Sequence, residues 1–240
     1  MSMPKLPPVQ PGDADRQLGE ALTPELLASL LADGDVELAA WALREAMTRA
    51  SRLDVYGSLL ADAMHLVGER WKSGQWSVAE EHLASQTLLR ALDRIRPDHG
   101  PESRIGPLAV LAAVAGEHHM IGLVLLDHVL RERGWTVANL GANVPATDLG
   151  GFVERNAARL VAITASDVAR TTDVREAVES VRAGAAPAQP ARIIPILLGG
   201  RLASQPGLGE TLDVDWHGAS LADASRFADG VLATLSTAEA

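Results

Sequence analysis

Two histidines in this 240-residue chain stand in patterns that could do metal chemistry. His119 lies in the run Gly116-Glu117-His118-His119-Met120-Ile121-Gly122, after the apolar stretch Leu108–Ala115 and before Leu123-Val124-Leu125-Leu126. A neutral imidazole is a suitable donor to a borderline transition metal. Its second ring nitrogen then needs an acceptor that fixes the tautomer and raises the basicity of the first. Glu117, two residues away in the same loop, can be that acceptor. The other histidine, His82, follows Glu81, and nine residues separate Glu81 from Trp71. Val78 stands three residues before Glu81 and four before His82, separations that share one face of a helix. An indole folded back on that face would shield a bound group from water.

The elements that must position these residues change character halfway along the chain. Thr23 is a helix N-cap followed by Pro24, and Gly34 ends that helix. Asp35 caps a second, in which Val36, Ala39, Ala40, Leu43 and Met47 recur at helical spacing. A third runs from near Leu53 to Trp71 and buries Val55, Leu59, Ala63, Leu66 and Val67, with Gly74 beyond its end. Ser77 and Glu80 form a capping box that opens a fourth helix toward Ile95, closed by Pro97 and Gly100. Four short-looped amphipathic helices predict a bundle. After a linker, Pro97 to Pro107, apolar strands follow at Leu108–Ala115, Trp135–Leu140, Leu160–Thr164 and Ile193–Leu198, with a weaker one near Val214. Between and after them lie helices at Ile121–Arg133, Ala146–Asn156, Thr172–Ala183 and Leu221–Leu235. Strands alternating with helices predict a parallel sheet covered on both faces, with ligands bound beyond the carboxyl ends of the strands. His119, Gly141 to Pro145, Thr164 to Asp167 and Gly199-Gly200 all fall there.

The Glu-x-His-x-x-Gly loop resembles the signature of cobalamin (vitamin B12) binding domains. The resemblance implies a Rossmann-like (flavodoxin-like) α/β domain with a parallel five-stranded sheet, preceded by the four-helix bundle. It implies that His119 is the lower ligand of cobalt in place of the vitamin's own base, with Glu117 behind it where the family more often has Asp. Gly122 would let the helix approach the displaced nucleotide tail. Leu140-Gly141-Ala142-Asn143-Val144-Pro145 looks like the family's loop along the corrin edge, which assigns Gly141, Asn143 and Val144 to the cofactor. Gly199 and Gly200 match the paired glycines beside the tail. Thr164 and Ser166 stand where the family has Ser-x-Leu, so the hydroxyl is kept and the apolar position is not.

The bundle motif Trp-x9-Glu-His, here Trp71, Glu81 and His82, is similar to that of B12-dependent photoreceptors and transcription regulators of the CarH/AerR kind. This resemblance covers residues 22 to 237 and implies a bundle that caps the upper face of the corrinoid. Trp71 and Val78 would cover the upper ligand and Glu81 would accept hydrogen bonds from ribose hydroxyls, which suits adenosylcobalamin better than methyl- or hydroxocobalamin. After photolysis His82 would take the vacant axial position, giving a bis-histidine state. The domains expected are a flexible Pro-rich tail (1–21), the bundle (22–97) and the cobalamin-binding domain (107–240). Only the Pro-rich tail precedes the bundle, where CarH-like proteins carry a DNA-binding domain, so the expected output is an AerR-like one.

Composition narrows the output. A net charge of −10 argues against direct nucleic acid binding, which draws on cations that neutralise phosphates. Regulation would pass through a transcription regulator protein, with an oligomeric state that could respond to light. Cys is absent, which removes disulfides and zinc-thiolate sites. No apolar run reaches membrane-spanning length and no secretory signal opens the chain, so a cytoplasmic protein is expected. No nucleophile–base pair, phosphate loop or His-Glu-x-x-His motif supports an independent hydrolase, and the chain is read as a sensor and not an enzyme. Two alternatives remain: a methyl-carrying corrinoid subunit of a methyltransferase system, and a cobalamin storage module. His65, His99, His128 and His217 read as surface or packing residues, and Trp41, Trp76, Trp135 and Trp216 as packing residues.

Overall fold

A computed structural model describes residues 22–97, 106–184 and 194–238. The expected tail (1–21), His99 and Gly100, most of the linker, and Ile193 lie outside the described residues. The chain divides into two compact units between Ile95 and Arg96.

The first unit is helical. The hydroxyl of Thr23 accepts from the Leu26 N–H at 3.3 Å and starts α1 (Pro24–Ala32). The carboxylate of Asp35 accepts from Leu38 N–H at 3.0 Å and starts α2 (Val36–Met47). The third helix departs from the expected regular one. It opens as α3 (Arg52–Asp54), widens into a π-helical segment (Val55–Leu60) and continues as α4 (Ala61–Lys72). Its buried residues are Val55, Tyr56, Leu60, Ala63 and Val67, while Leu59 and Leu66 are only half-buried. An α-helix turns about 100° per residue, which would send Val55 and Leu60 to different faces. The wider i→i+5 turn takes up one extra residue and brings both to the core. Then α5 (Val78–Arg94) begins with the capping box: Glu80 N–H donates to Ser77 Oγ at 3.3 Å, and Ser77 N–H donates to Glu80 Oε2 at 2.7 Å. The amide and then the hydroxyl of Ser77 hold the Glu80 carboxyl below its ordinary range. Ala84, Thr87, Leu88, Ala91 and Leu92 of α5 pack against α1 and α2.

The second unit is a parallel five-stranded sheet in the order β2-β1-β3-β4-β5. Its strands are β1 (Leu108–Ala113), β2 (Thr136–Asn139), β3 (Leu160–Thr164), β4 (Ile196–Gly199) and β5 (Trp216–His217). The helices are α6 (Ile121–Glu132), α7 (Ala146–Arg155), α8 (Thr171–Gly184) and α9 (Leu221–Ala238). The two-residue period of β1 feeds two cores. Val110 and Ala112 face α7 and α8, and Ala109, Leu111 and Ala113 face α6 and α9. The weaker last strand expected near Val214 is the pair Trp216–His217, and Val214 itself packs against the core edge. Asp215 sets this start: its N–H donates to Ile196 O at 2.9 Å, and its carboxylate accepts Ile196 N–H at 2.7 Å. His128, half of whose alternatives were surface, is buried at 1% exposure.

Helix α6 leaves β1 toward one face of the sheet, and α8 leaves β3 toward the other. Because β1 and β3 are neighbours, their carboxyl ends form the switch point where such sheets open a crevice.

Candidate functional site

The loop after β1 is organised around one carboxylate. Glu117 is buried at 3% exposure, although it stands in a loop. Its Oε1 accepts the backbone N–H groups of His118 and His119, each at 2.8 Å, and the His119 ring at 2.6 Å. Its Oε2 accepts the backbone N–H of Ser166, beyond β3, at 2.5 Å. Burial pushes this carboxyl up, but the His119 N–H, the His119 ring and the Ser166 N–H together outweigh burial and hold it below its usual value. Glu117 is therefore ionised at neutral pH and accepts only, so Nδ1 of His119 carries the proton. In the neutral ring that leaves the Nε2 lone pair free, on a side chain 75% exposed. The arrangement is that of a metal-binding imidazole with its tautomer already chosen.

Neighbouring loops lock this one in place. Asn143, at φ +55°, adopts the left-handed conformation that asparagine tolerates. Its Oδ1 accepts Gly116 N–H at 2.7 Å, and its own N–H donates to Glu117 O at 2.9 Å. Gly141 O accepts Ala113 N–H at 2.8 Å, and Val144 N–H donates to Ala113 O at 2.9 Å, extending β1 by a bridge between Val114 and Val144. Gly141, Asn143 and Val144 thus tie the loop after β2 to the ligand loop.

Thr164 is buried at 7% exposure at the end of β3, and the Ser166 contact to Glu117 uses its backbone, not its hydroxyl. A Cβ at Gly199 would meet nothing closer than Ile163 O at 3.8 Å. Gly200 has a reason internal to the fold: at φ +86° a Cβ would stand 2.3 Å from Ala165 O and 2.7 Å from Thr164 Oγ1. Gly122 is the opposite case, because a Cβ there would meet nothing within 4 Å. No packing within the unit demands glycine in the first turn of α6.

The residues expected on the helical side gather at one end of that unit. Trp71 lies four residues beyond Val67 and eight beyond Ala63, and so continues the core stripe of α4 past its last buried layer. Glu81 does the same on α5, three residues before the buried Ala84. Trp71 is 47% exposed and Val78 54%, so neither is enclosed by the helical core. Oε2 of Glu81 accepts the His82 ring Nδ1 at 2.5 Å, and Oε1 accepts the Ser85 hydroxyl at 2.9 Å. The His82 side chain is 72% exposed. Ser85 was missed in the sequence although it stands one turn from Glu81. Trp76 is a packing residue: the Arg70 guanidinium lies 4.8 Å from its ring centroid.

Comparison with known proteins shows what the chain binds. Residues 24–96 match one family described as a B12 binding domain, and residues 107–216 match a second with the same description. The chain is a cobalamin-binding protein. The exposed imidazole with a fixed tautomer and the open flank of Gly122 fit this cofactor, whose corrin ring leaves only axial positions to a protein.

Among curated relatives, the methionine synthase of Mycobacterium leprae is 30% identical over 72% of this chain and 15% of that enzyme. The HTH-type transcriptional repressor CarH of Myxococcus xanthus is 38% identical over 46% of this chain and 36% of the repressor. The chain therefore spans well under half the length of either. The monomethylamine corrinoid protein of Methanosarcina barkeri has the same fold, with a TM-score of 0.66 over 85% of this chain and 96% of that one, at 16% identity. Among the described residues, no helix is long and apolar enough to cross a membrane.

Proposed function

We propose that this chain is a cobalamin-based light sensor that regulates transcription through a protein partner. The observation that carries the reading is the set Trp71, Glu81 and His82. A second imidazole, already held by a carboxylate through Nδ1 and 72% exposed, stands near the exposed end of a helical core stripe. A methyl carrier has no evident use for it. Partial identity to the CarH repressor supports the same reading. When bound, adenosylcobalamin supplies a light-labile cobalt–carbon bond.

The rest is the work of side chains. His119 would hold cobalt through Nε2, with Glu117 bound to its Nδ1 keeping that lone pair available. Gly122, Gly141, Asn143, Val144, Thr164, Ser166, Gly199 and Gly200 are assigned to the corrin edge and the nucleotide tail. On the helical unit, Trp71 and Val78 would exclude water from the group carried by cobalt, Glu81 would accept from its hydroxyls, and His82 would offer a second imidazole in the light-adapted state. A change of ligand contacts is then read by what the helical unit packs against. The net charge of −10 favours a protein as the receiver of that change over DNA.

The test is purification in darkness with adenosylcobalamin, followed by absorption and hydrodynamic size before and after green light. A spectral change accompanied by a shift in size, shape or affinity for a regulator is expected, and His82→Ala should alter the photoproduct spectrum. A photoproduct unchanged in His82→Ala removes His82 from the mechanism. Spectral change without any physical response would favour storage. Similarity to methionine synthase across 72% of the chain keeps a methyl-carrying corrinoid subunit as the second reading. Turnover of bound methylcobalamin by a methyltransferase would establish it.

A further inference from the structure

Ser166 is not the only point at which the loop after β3 reaches the ligand loop. Arg170 ends the short 3-10 turn Val168–Arg170, which Asp167 caps by accepting Ala169 N–H at 2.8 Å. Nη1 of Arg170 lies 3.2 Å from Asp173 Oδ2, in the first turn of α8, and 3.5 Å from Ala115 O, a long hydrogen bond. The guanidinium also fills the space where a side chain on Gly116 would stand. A Cβ at that residue would stand 2.1 Å from Nη1 and 3.0 Å from Cζ, at a φ of +73° that already disfavours a side chain. Gly116 is thus held from two sides, by Asn143 Oδ1 on its N–H at 2.7 Å and by the Arg170 guanidinium.

The consequence falls on the next residues. Glu117 follows Gly116 directly and His119 stands two residues further on, with its side chain 75% exposed, so little core packing holds the ligand ring in place. A loop that is loose before binding must be ordered by binding, at the expense of affinity. We propose that Arg170 is a positioning residue for the cobalt ligand, its guanidinium clamping Ala115–Gly116 so that Glu117 and His119 are set before cobalamin arrives. Charge alone does not replace it, because a lysine ammonium could pair with Asp173 but has one nitrogen where Nη1 and Cζ together fill the space beside Gly116. The proposal rests on His119 as the lower ligand.

The test uses the full chain with Arg170→Ala and Arg170→Lys. Hydroxocobalamin affinity is measured by absorbance titration, and ligation by the nitrogen coupling from isotopically labelled histidine in the electron paramagnetic resonance spectrum of the one-electron-reduced cofactor, which separates His119 from the vitamin's own nitrogen base. Thermal unfolding of the cobalamin-free protein is measured alongside. Arg170→Ala should weaken binding about tenfold, the lower end for partners of a metal ligand. It should also reduce the fraction of cobalt showing nitrogen coupling, with the cobalamin-free midpoint unchanged. Arg170→Lys should stay near the alanine variant. Wild-type affinity and coupling in Arg170→Ala would overturn the proposal. So would a loss of affinity matched by an equal loss of cobalamin-free stability, which would make Arg170 a structural support only. Absence of nitrogen coupling in the wild-type chain is a different result: it removes His119 as ligand, and the proposal with it.

Discussion

Glu117 makes more contacts than an aspartate could make from the same backbone position. One oxygen serves His118, His119 and the imidazole, while the other reaches Ser166 N–H at 2.5 Å across to the loop after β3. Glu117→Asp shortens that reach by a methylene, so it can serve the ring or Ser166 but not both. Cobalamin affinity should fall about tenfold in Glu117→Asp and nearer a hundredfold in Glu117→Ala, the range for partners of metal-bound histidine. Equal affinity for all three proteins, measured by absorbance titration, would show that the bond between residues 117 and 119 does not matter to the cofactor. That bond was legible in the sequence because both groups lie within three residues of chain. The contributions of Ser166 and Arg170 were not. They depend on β1 and β3 lying in register, Ala113 opposite Thr164, and no local pattern encodes which strands become neighbours.

At the scale of elements, capping signals were read well, and helical phase held except at Leu59 and Leu66. Thr23, Asp35 and Ser77 each receive the backbone N–H that their position in the sequence promises. These are interactions across three residues and need no tertiary context. Leu59 was expected in the core because regular α spacing from Val55 puts it there. The π segment hands that place to Leu60, at 0% exposure. A choice between leucines one residue apart is made by what the rest of the bundle presents, which spacing within one helix does not record. Leu60→Ala should therefore cost about 2–5 kcal/mol of stability, the range for emptying a packed site. Leu59→Ala should cost much less, because its side chain is only partly removed from water. Chemical denaturation of the two variants decides between the phases, and the reverse order of stabilities would mean that a regular α-helix is the true form. The phase has a functional side too, since Trp71 continues the stripe through Ala63 and Val67.

For the whole molecule, the two units need not melt together, because chains of more than one domain often depart from two-state unfolding. Cobalamin links to each unit only through residues that touch it. A ligand present at a hundred times its dissociation constant stabilises what it binds by about 2.7 kcal/mol. If His119 alone held the cofactor, only the sheet unit would gain. The proposed roles of Trp71, Glu81 and His82 require the helical unit to gain as well. Calorimetry in darkness with excess adenosylcobalamin should raise the transitions of both units, or merge them into one. The double variant Trp71→Ala with His82→Ala should keep the gain of the sheet unit and lose that of the helical one, since both side chains are exposed and their removal empties no core. A helical transition that stays put in the wild-type chain while the sheet transition rises would mean that the bundle does not sense the cofactor, and a sensor whose second unit is blind to its chromophore has no means of passing a signal on.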